Sequence, residues 1–218
     1  KVPRFMSEFG MQSMPDLSTL KKVLPDSAMN FNSTLFYNHQ KYPKGFQTLD
    51  YYLNEYLVIP DNVEDYIYAS QVLQAYALTT AIEAQRRAMP YCMGSLVWQL
   101  NDCWPVTSWS LIDYDLKEKI SYFEVTEAYK PLIISVEEKE ESYHVYIIND
   151  GQSSYLVDLK VEIRDFYGKI ILEKKVTTKI EKETSKSYIS ISKKSLIGID
   201  LSTIYMYSRI SDSKKTGK

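Results

Sequence analysis

The sequence predicts an α/β half followed by an all-β half. Three observations lead there. Two short apolar runs, at Val2–Glu8 and after Gly94, are each followed by a helical pattern. This strand, helix, strand, helix order implies parallel strands joined by right-handed crossovers. After Pro131 the hydrophobic period changes to two: Val157, Leu159, Val161 and Ile163 alternate with Asp158, Lys160, Glu162 and Arg164. Such alternation marks half-buried antiparallel strands. The division falls near Tyr129-Lys130-Pro131, giving a first part of residues 1–130 and a second of residues 131–218.

Each element has its own signal. VPRFMSE, Val2 to Glu8, reads as a strand with Arg4, Met6 and Glu8 on one face, and Gly10 beyond it permits a sharp turn. Residues 11–60 are polar and punctuated by proline, with short helices expected at Ser18–Val23 and Phe46–Tyr56. Asp61 and Glu64 have capping-box spacing, and a helix then runs to about Ala88. Tyr66, Ala69, Leu73, Tyr76, Ala77 and Thr80 form its expected inward stripe. Arg86 and Arg87 suit its C-terminal dipole, and Pro90 stops it. Leu96, Val97, Trp98 and Leu100 lie between Gly94 and Asn101-Asp102, the pattern of a buried parallel strand. Lys119–Tyr129 reads as the last helix. Strands follow at Leu132–Glu137, Tyr143–Ile148, Val157–Ile163, Ile170–Val176, Ser187–Ser192 and Ile204–Ile210, which predicts a sandwich of immunoglobulin type. Lysines crowd its polar positions, a device that protects sheet edges.

Composition excludes some classes. The formal net charge of −2 gives no broad basic field for nucleic acid. No apolar run approaches the roughly 18 residues of a membrane span. Cys92 and Cys103 flank one strand on opposite sides and read as buried thiols, not as a disulfide framework. His39 and His144 are too isolated to build a metal site. Tyr51, Tyr52, Tyr56, Tyr66, Tyr68 and Tyr76 read mostly as packing residues with wet hydroxyls. The first residues lack an initiator Met and a signal-like apolar stretch, so the compartment stays open.

Chemistry concentrates in two places. GSLVWQLNDCWPVTSW, Gly94 to Trp109, holds all three tryptophans. Asn101, Asp102 and Trp104 stand just past a strand's C-terminal end, where α/β sheets bind ligands. A flat apolar ring beside an amide and a carboxylate suits a sugar, whose C–H face stacks while its hydroxyls find polar partners. Glu8 ends the first strand. Residue type and place leave a catalytic or binding role level with an ion pair to Arg4 or a helix N-terminal acid.

FMSEFGMQS with the later GSLVWQLNDCWPVTSWSLIDY resembles the C-terminal part of a β-mannosidase of glycoside hydrolase family 2. NHQK at Asn38–Lys41 and RRAMPYCMG at Arg86–Gly94 add to it. The resemblance is dense over residues 1–131 and holds only by pattern beyond. It implies the end of a (β/α)8 TIM barrel, with strand seven at Phe5 and strand eight at Leu96, then an immunoglobulin-like sandwich that stops short of a closing strand. Barrel strands one to six and the N-terminal domains would then be partners outside this chain.

The implied activity is retaining, exo-acting release of terminal β-mannose from manno-oligosaccharides, with no metal or organic cofactor and with neither nucleic acid nor membrane as partner. Another family 2 activity, such as exo-β-glucosaminidase, and a non-catalytic sugar-binding or structural fragment are the alternatives. The resemblance makes Glu8 the nucleophile. The acid/base glutamate would follow an asparagine on strand four, outside the chain; Asn54-Glu55 has those letters in the wrong place. The fragment alone is therefore expected to be inactive. Trp98 would floor the −1 sugar site, cap the barrel core, or both. Asn101 and Asp102 would bind hydroxyls or brace their loop. Trp104 would shape the wall, Trp109 would pack, and His39 and Gln40 would hold a loop. One departure stands out: Glu118-Lys119 replace the family's usual Trp-Lys, so a packing tryptophan is lost.

Overall fold

The computed structural model describes residues 2–213. The chain divides into two compact units. The first comprises Pro3–Glu83 and Gly94–Tyr129; the second comprises Ala84–Met93 and the chain from Lys130 onward, with Val2.

The first unit contains β1 (Met6–Phe9), α1 (Leu17–Lys21), α2 (Thr34–Asn38), α3 (Gly45–Tyr56), most of α4 (Val63–Arg87), β2 (Ser95–Val97) and α5 (Ile120–Ala128). β1 and β2 pair in parallel, Met6 with Ser95 and Phe9 with Val97. Phe9 and Val97 pack against Leu78, Ile82, Leu111, Val125 and Ala128 from the helices and the connecting loop. A second cluster joins Leu20, Phe36, Phe46, Leu49, Leu53, Tyr66 and Leu73. Aromatic edges interlock there, as Tyr37 and Phe46 do at 4.8 Å between centroids.

Several expectations need correction. The strand at Leu96 is parallel but not buried: Leu96 is 56%, Trp98 49% and Leu100 60% exposed. Among the described residues the sheet has only two strands, so the face turned away from the helices has no packing partner. The helix cap falls one residue later than Asp61. Asn62 Oδ1 accepts from Asp65 N–H at 2.9 Å, and Asn62 Nδ2 donates back to Asp65 Oδ2 at 2.7 Å. Asn outcompetes Asp here because its amide can both accept and donate. The inward stripe also drifts. Tyr66, Ala69 and Leu73 are buried, but Tyr76 and Thr80 are exposed, and Gln74, Leu78 and Ile82 take the inner face. The buried turn is polar in part, which hid it from an apolar count. Tyr51, Tyr52, Tyr56, Tyr68 and Tyr76 are exposed, and of the six tyrosines only Tyr66 packs inside. Cys92 is buried as expected, but Cys103 is exposed. It lies on a loop whose interior is filled by polar side chains. α2 was not expected; Ser33 caps it, its Oγ accepting from Phe36 N–H.

The second unit is an antiparallel sandwich. Its strands are β3 (Leu132–Glu138), β4 (Ser142–Asn149), β5 (Tyr155–Asp165), β6 (Ile170–Ile180), β7 (Thr184–Ser192) and β8 (Ile204–Asp212). Two three-stranded sheets form, in the orders β3-β4-β7 and β6-β5-β8. Val145, Ile147, Val157, Leu159, Val161, Ile189 and Ile191 fill the space between them. The β5–β6 turn is held by Asp165 Oδ1, which accepts from Tyr167 and Lys169 N–H groups, with Gly168 at φ +87°. That angle suits glycine, which takes up positive φ as readily as negative, whereas L side chains rarely adopt it. The end of α4 counts with this unit: Arg86 Nη2 meets Asp150 Oδ2 at 2.8 Å, and Ser185 Oγ donates to Arg87 O at 3.1 Å.

Candidate active site

The parallel pair sets the site's base. Trp98 N–H donates to Phe9 O at 2.8 Å, continuing the ladder past β2. The register of β1 against β2 shifts between Met6 and Phe9, which leaves one extra residue in β1. Phe9 and Val97 pack toward the helices, and Glu8, Leu96 and Trp98 are exposed. Glu8 and Trp98 thus stand near the C-terminal ends of adjacent parallel strands. Gly10 makes this closeness possible: a Cβ there would sit 2.2 Å from Trp98 O. The Trp98–Gln99 peptide is cis.

A loop, Asn101–Ser110, rises from β2. Gln99 N–H donates to Trp109 O and Ile112 N–H to Leu100 O, which closes its base. Asp102 fills its interior. Its Oδ2 accepts from Ser108 Oγ and Ser110 Oγ, each at 2.5 Å; its Oδ1 accepts from Lys41 Nζ and Gln99 Nε2, each at 3.1 Å. The carboxylate is fully buried and every lone pair is used. Of the two alternatives for Asp102, hydroxyl binding or loop bracing, these four bonds fit bracing. Asn101 is exposed and keeps its side chain outward, while its carbonyl accepts from Gln99 Nε2 at 2.8 Å.

The NHQK segment clamps the same loop. Lys41 N–H donates to Thr107 O and Thr107 N–H to His39 O, at 3.0 and 2.8 Å. His39 Nδ1 donates to Pro105 O at 2.6 Å, which fixes its tautomer, and its ring lies 5.7 Å from that of Trp104. Trp104 is half-buried beside it. On the other flank, Ser13 and Ser108 exchange backbone hydrogen bonds, so the loops after β1 and β2 are tied directly. Gln74 supports both: its Oε1 accepts from Ser13 and Ser121 hydroxyls, and its Nε2 donates to Met11 O and Ser110 O.

Lys119 completes the surround. It is the N-cap residue of α5 and almost wholly buried, with Nζ donating to Ser13 O at 3.3 Å. Burial lowers its pKa to about 8, against the attraction of Asp102 and Asp113 and with repulsion from Lys41. Asp113 is itself saturated, accepting from Thr19 Oγ1 and from the N–H groups of Asp16, Asp115 and Lys117.

The structure thus leaves Glu8 and Trp98 exposed near the ends of adjacent strands, keeps Asn101 and Trp104 on the adjoining loop, and turns Asp102 inward. Sequence reading missed the roles of Lys41, Ser108, Ser110, Gln74 and Lys119. Their only signal was polar side chains recurring beside strand ends, which loops also show without a site. Among the described residues no cluster of His, Cys, Asp and Glu could hold a metal ion. A groove of about 440 Å³ runs along α4 and α5, lined by Val72, Tyr76, Thr79, Ile120 and Glu124, away from these site residues.

Known proteins share these features. Residues 141–217 match the Mannosidase Ig/CBM-like domain. Beta-mannosidase B of Thermothelomyces thermophilus is 35% identical over 182 residues, covering 79% of this chain and 21% of that protein. The crystal structure of the β-D-mannosidase from Dictyoglomus thermophilum superimposes with a TM-score of 0.90 at 32% identity, covering 96% of this chain and 26% of that one. The exo-chitosanase CsxA of Amycolatopsis orientalis, at 18% identity and a TM-score of 0.78, shares the fold. The chain spans about a fifth of the length of the curated relatives it matches. By sequence and by fold the chain is a relative of the β-mannosidases, matching one segment of those much longer proteins, as its motifs implied.

Proposed function

We propose that this chain is the C-terminal part of a retaining β-mannosidase, with β1 and β2 as the last two strands of its (β/α)8 barrel and with domains dividing near residue 130. The observation that supports this reading is the exposure of Glu8 and Trp98 near the C-terminal ends of adjacent parallel strands, where barrel enzymes bind substrate. Glu8 is the nucleophile. Its carboxylate attacks the anomeric carbon of a terminal β-mannosyl unit, and the glycosidic C–O bond breaks as a second carboxyl group protonates the leaving oxygen. Water then cleaves the glycosyl ester and returns the proton to that second group. Retention needs the two carboxyl groups about 5–5.5 Å apart. Glu55 lies on helix α3 and not at the end of a strand, so the acid/base is assigned to another segment of the longer protein. Trp98 stacks on the sugar face, Asn101 takes hydroxyls, and Trp104, held against His39, walls the site.

Covalent trapping tests this. The full-length protein is incubated with an activated 2-deoxy-2-fluoro-β-mannoside, digested, and the labelled peptide identified by mass spectrometry. Label on Glu8 is expected. Label on another carboxylate, or hydrolysis of mannosides without any label, would overturn the assignment. The fold shared with exo-chitosanase CsxA favours one second reading, a glucosamine-releasing enzyme. A panel of aryl glycosides separates the two by relative kcat/KM.

A further inference from the structure

The outward face of the β6-β5-β8 sheet carries chemistry that the catalytic reading leaves unused. Pairing register fixes its rows. Glu162 on β5 stands between Glu173 on β6 and Tyr207 on β8, and Arg164 is opposite Tyr205. Their strand neighbours Val161 and Ile163 point into the core, so these side chains point away from it. Glu162 and Glu173 are like charges side by side, which destabilises a sheet unless they are offset. Cations offset them. Lys160 bridges Glu162 and Glu173, Lys175 pairs with Glu173 at 2.9 Å, and Arg164 pairs with Glu162. Glu162 is wholly buried although it lies on the outer side of its sheet. The Arg164 guanidinium lies 4.8 Å from the centroid of the Tyr207 ring. By the β5–β6 turn, the Phe166 and Tyr205 rings lie 9° from parallel with centroids 6.2 Å apart.

Each feature narrows what the face can bind. Its carboxylates are neutralised by its own cations, so it favours no strongly charged ligand. Phe166 is 69% exposed, and Tyr205 and Tyr207 are 39% exposed. Single exposed apolar residues are ordinary, but parallel rings side by side form a patch. A wholly apolar partner would strand the partly exposed Lys160 and Arg164, whose charged ends need polar company. A flat, uncharged ligand rich in hydroxyls suits both: the C–H face of a pyranose lies on a ring while its hydroxyls meet the cations. We propose that this face is a second sugar-binding surface, where Phe166 and Tyr205 stack on units of a β-linked mannan chain and Arg164 and Lys160 bond its hydroxyls. The surface lies wholly within the sandwich unit. The choice of mannan rests on the reading of Glu8 and Trp98 as a mannosidase site; the rings and the ion pairs do not.

The test is native electrophoresis of the full-length protein in gels with and without soluble galactomannan. Retardation by the polymer is expected. In the double variant Phe166→Ala with Tyr205→Ala the apparent affinity should fall about tenfold, the effect of losing an aromatic contact. Tyr205→Phe keeps the ring and should keep the retardation. In all three proteins kcat/KM on an aryl β-mannoside should be the same, which also shows that the variants fold. No retardation overturns the surface. So does retardation that survives the double variant and vanishes in Trp98→Ala, because the polymer is then held at the catalytic site. A double variant that lowers the melting point of the full-length protein but not of the 218-residue chain overturns it as well, since another part of the longer protein then covers the rings. Retardation by a soluble cellulose derivative and not by galactomannan, lost in the double variant, upholds the surface and overturns mannan as its ligand. Failure of the unaltered protein to turn over the aryl mannoside overturns the catalytic reading instead, and the gels still decide the surface.

Discussion

Gly10 is the residue on which the meeting of the two site strands depends. Any side chain there enters the space of Trp98 O and also meets the Trp109 ring. Gly10→Ala must push β2 away or break the Trp98–Phe9 hydrogen bond. Overpacking of this kind costs roughly 1–3 kcal/mol, and chemical denaturation will show a lowered midpoint with unchanged slope. Asp102 is the second such residue. Asp102→Ala strands Lys41 and two serine hydroxyls, and breaking a buried charge pair in this way costs about 3–5 kcal/mol. Thermal unfolding would reveal it; a loss below 1 kcal/mol would mean the loop is braced otherwise. Lys119 yields a pH prediction with a definite sign. In the unfolded chain it keeps its proton to 10.5, whereas in the fold it releases it at about 8. Between those values the unfolded state binds more protons, so stability rises with pH. The unaltered protein should therefore gain on Lys119→Met by roughly 3 kcal/mol from pH 8 to 10.5, at about 1.4 kcal/mol per unit. The buried charge thus costs stability.

At the scale of elements, legibility followed the chemistry of each pattern. The sandwich strands were readable because period-two alternation over long stretches such as Tyr155–Asp165 has no competing interpretation. α4 was readable in extent, yet its face was not, because Gln71, Gln74 and Gln85 are buried among its apolar residues. Gln71 and Gln74 find their partners far along the chain, Gln71 at Met14 O and Ile120 N–H and Gln74 at Met11 O and Ser13 Oγ, and no local pattern reports such partners. The one-residue shift of its cap is testable: Asn62→Ala should cost about 1 kcal/mol, with Asp61→Ala near neutral, in matched unfolding curves. β5 and β6 carry a further pH signal. Glu173 lies between Lys160 and Lys175, and the hydrogen bonds from Lys175 and Lys160 bring its pKa down to about 2. A depressed carboxylate contributes stability above its unfolded value, near 4.5, and loses it as pH falls toward 2. Acid unfolding should therefore begin at higher pH in the unaltered chain than in Glu173→Gln once both are matched at pH 7, and added salt should narrow the gap.

At the scale of the whole molecule, the sequence made the fold class and the motif strands legible, but misjudged what covers them. Leu96 and Leu100 sit in a run that reads as buried because only a sheet with neighbours on both sides would select it. Among the described residues that sheet has two strands; Phe5, Leu96, Trp98 and Leu100 are exposed, as are Tyr51, Tyr52, Tyr56, Tyr68 and Tyr76 on α3 and α4. Burial is a property of the assembly around a strand, so it was not written in the strand's own letters. That Glu8 and Trp98 stand near strand ends was legible from the runs around them; Asp102 was half-legible, since its letter fits binding and bracing alike. Exposed apolar faces of this extent drive association. The chain on its own should bind a hydrophobic dye strongly and run larger than 25.4 kDa in light scattering, and Leu96→Lys with Leu100→Lys should reduce both.

The unequal placement of the two cysteines gives the molecule a built-in point of attachment. Cys92 is shielded and Cys103 open to solvent, and Cys103 stands in the chain between Asp102 and Trp104. A maleimide dye or spin label under native conditions will therefore mark one thiol per chain, without any engineered residue. If a ligand binds at the loop as proposed, such a label would report it as a change in mobility or colour, and its distance from a second label on the sandwich becomes measurable in solution.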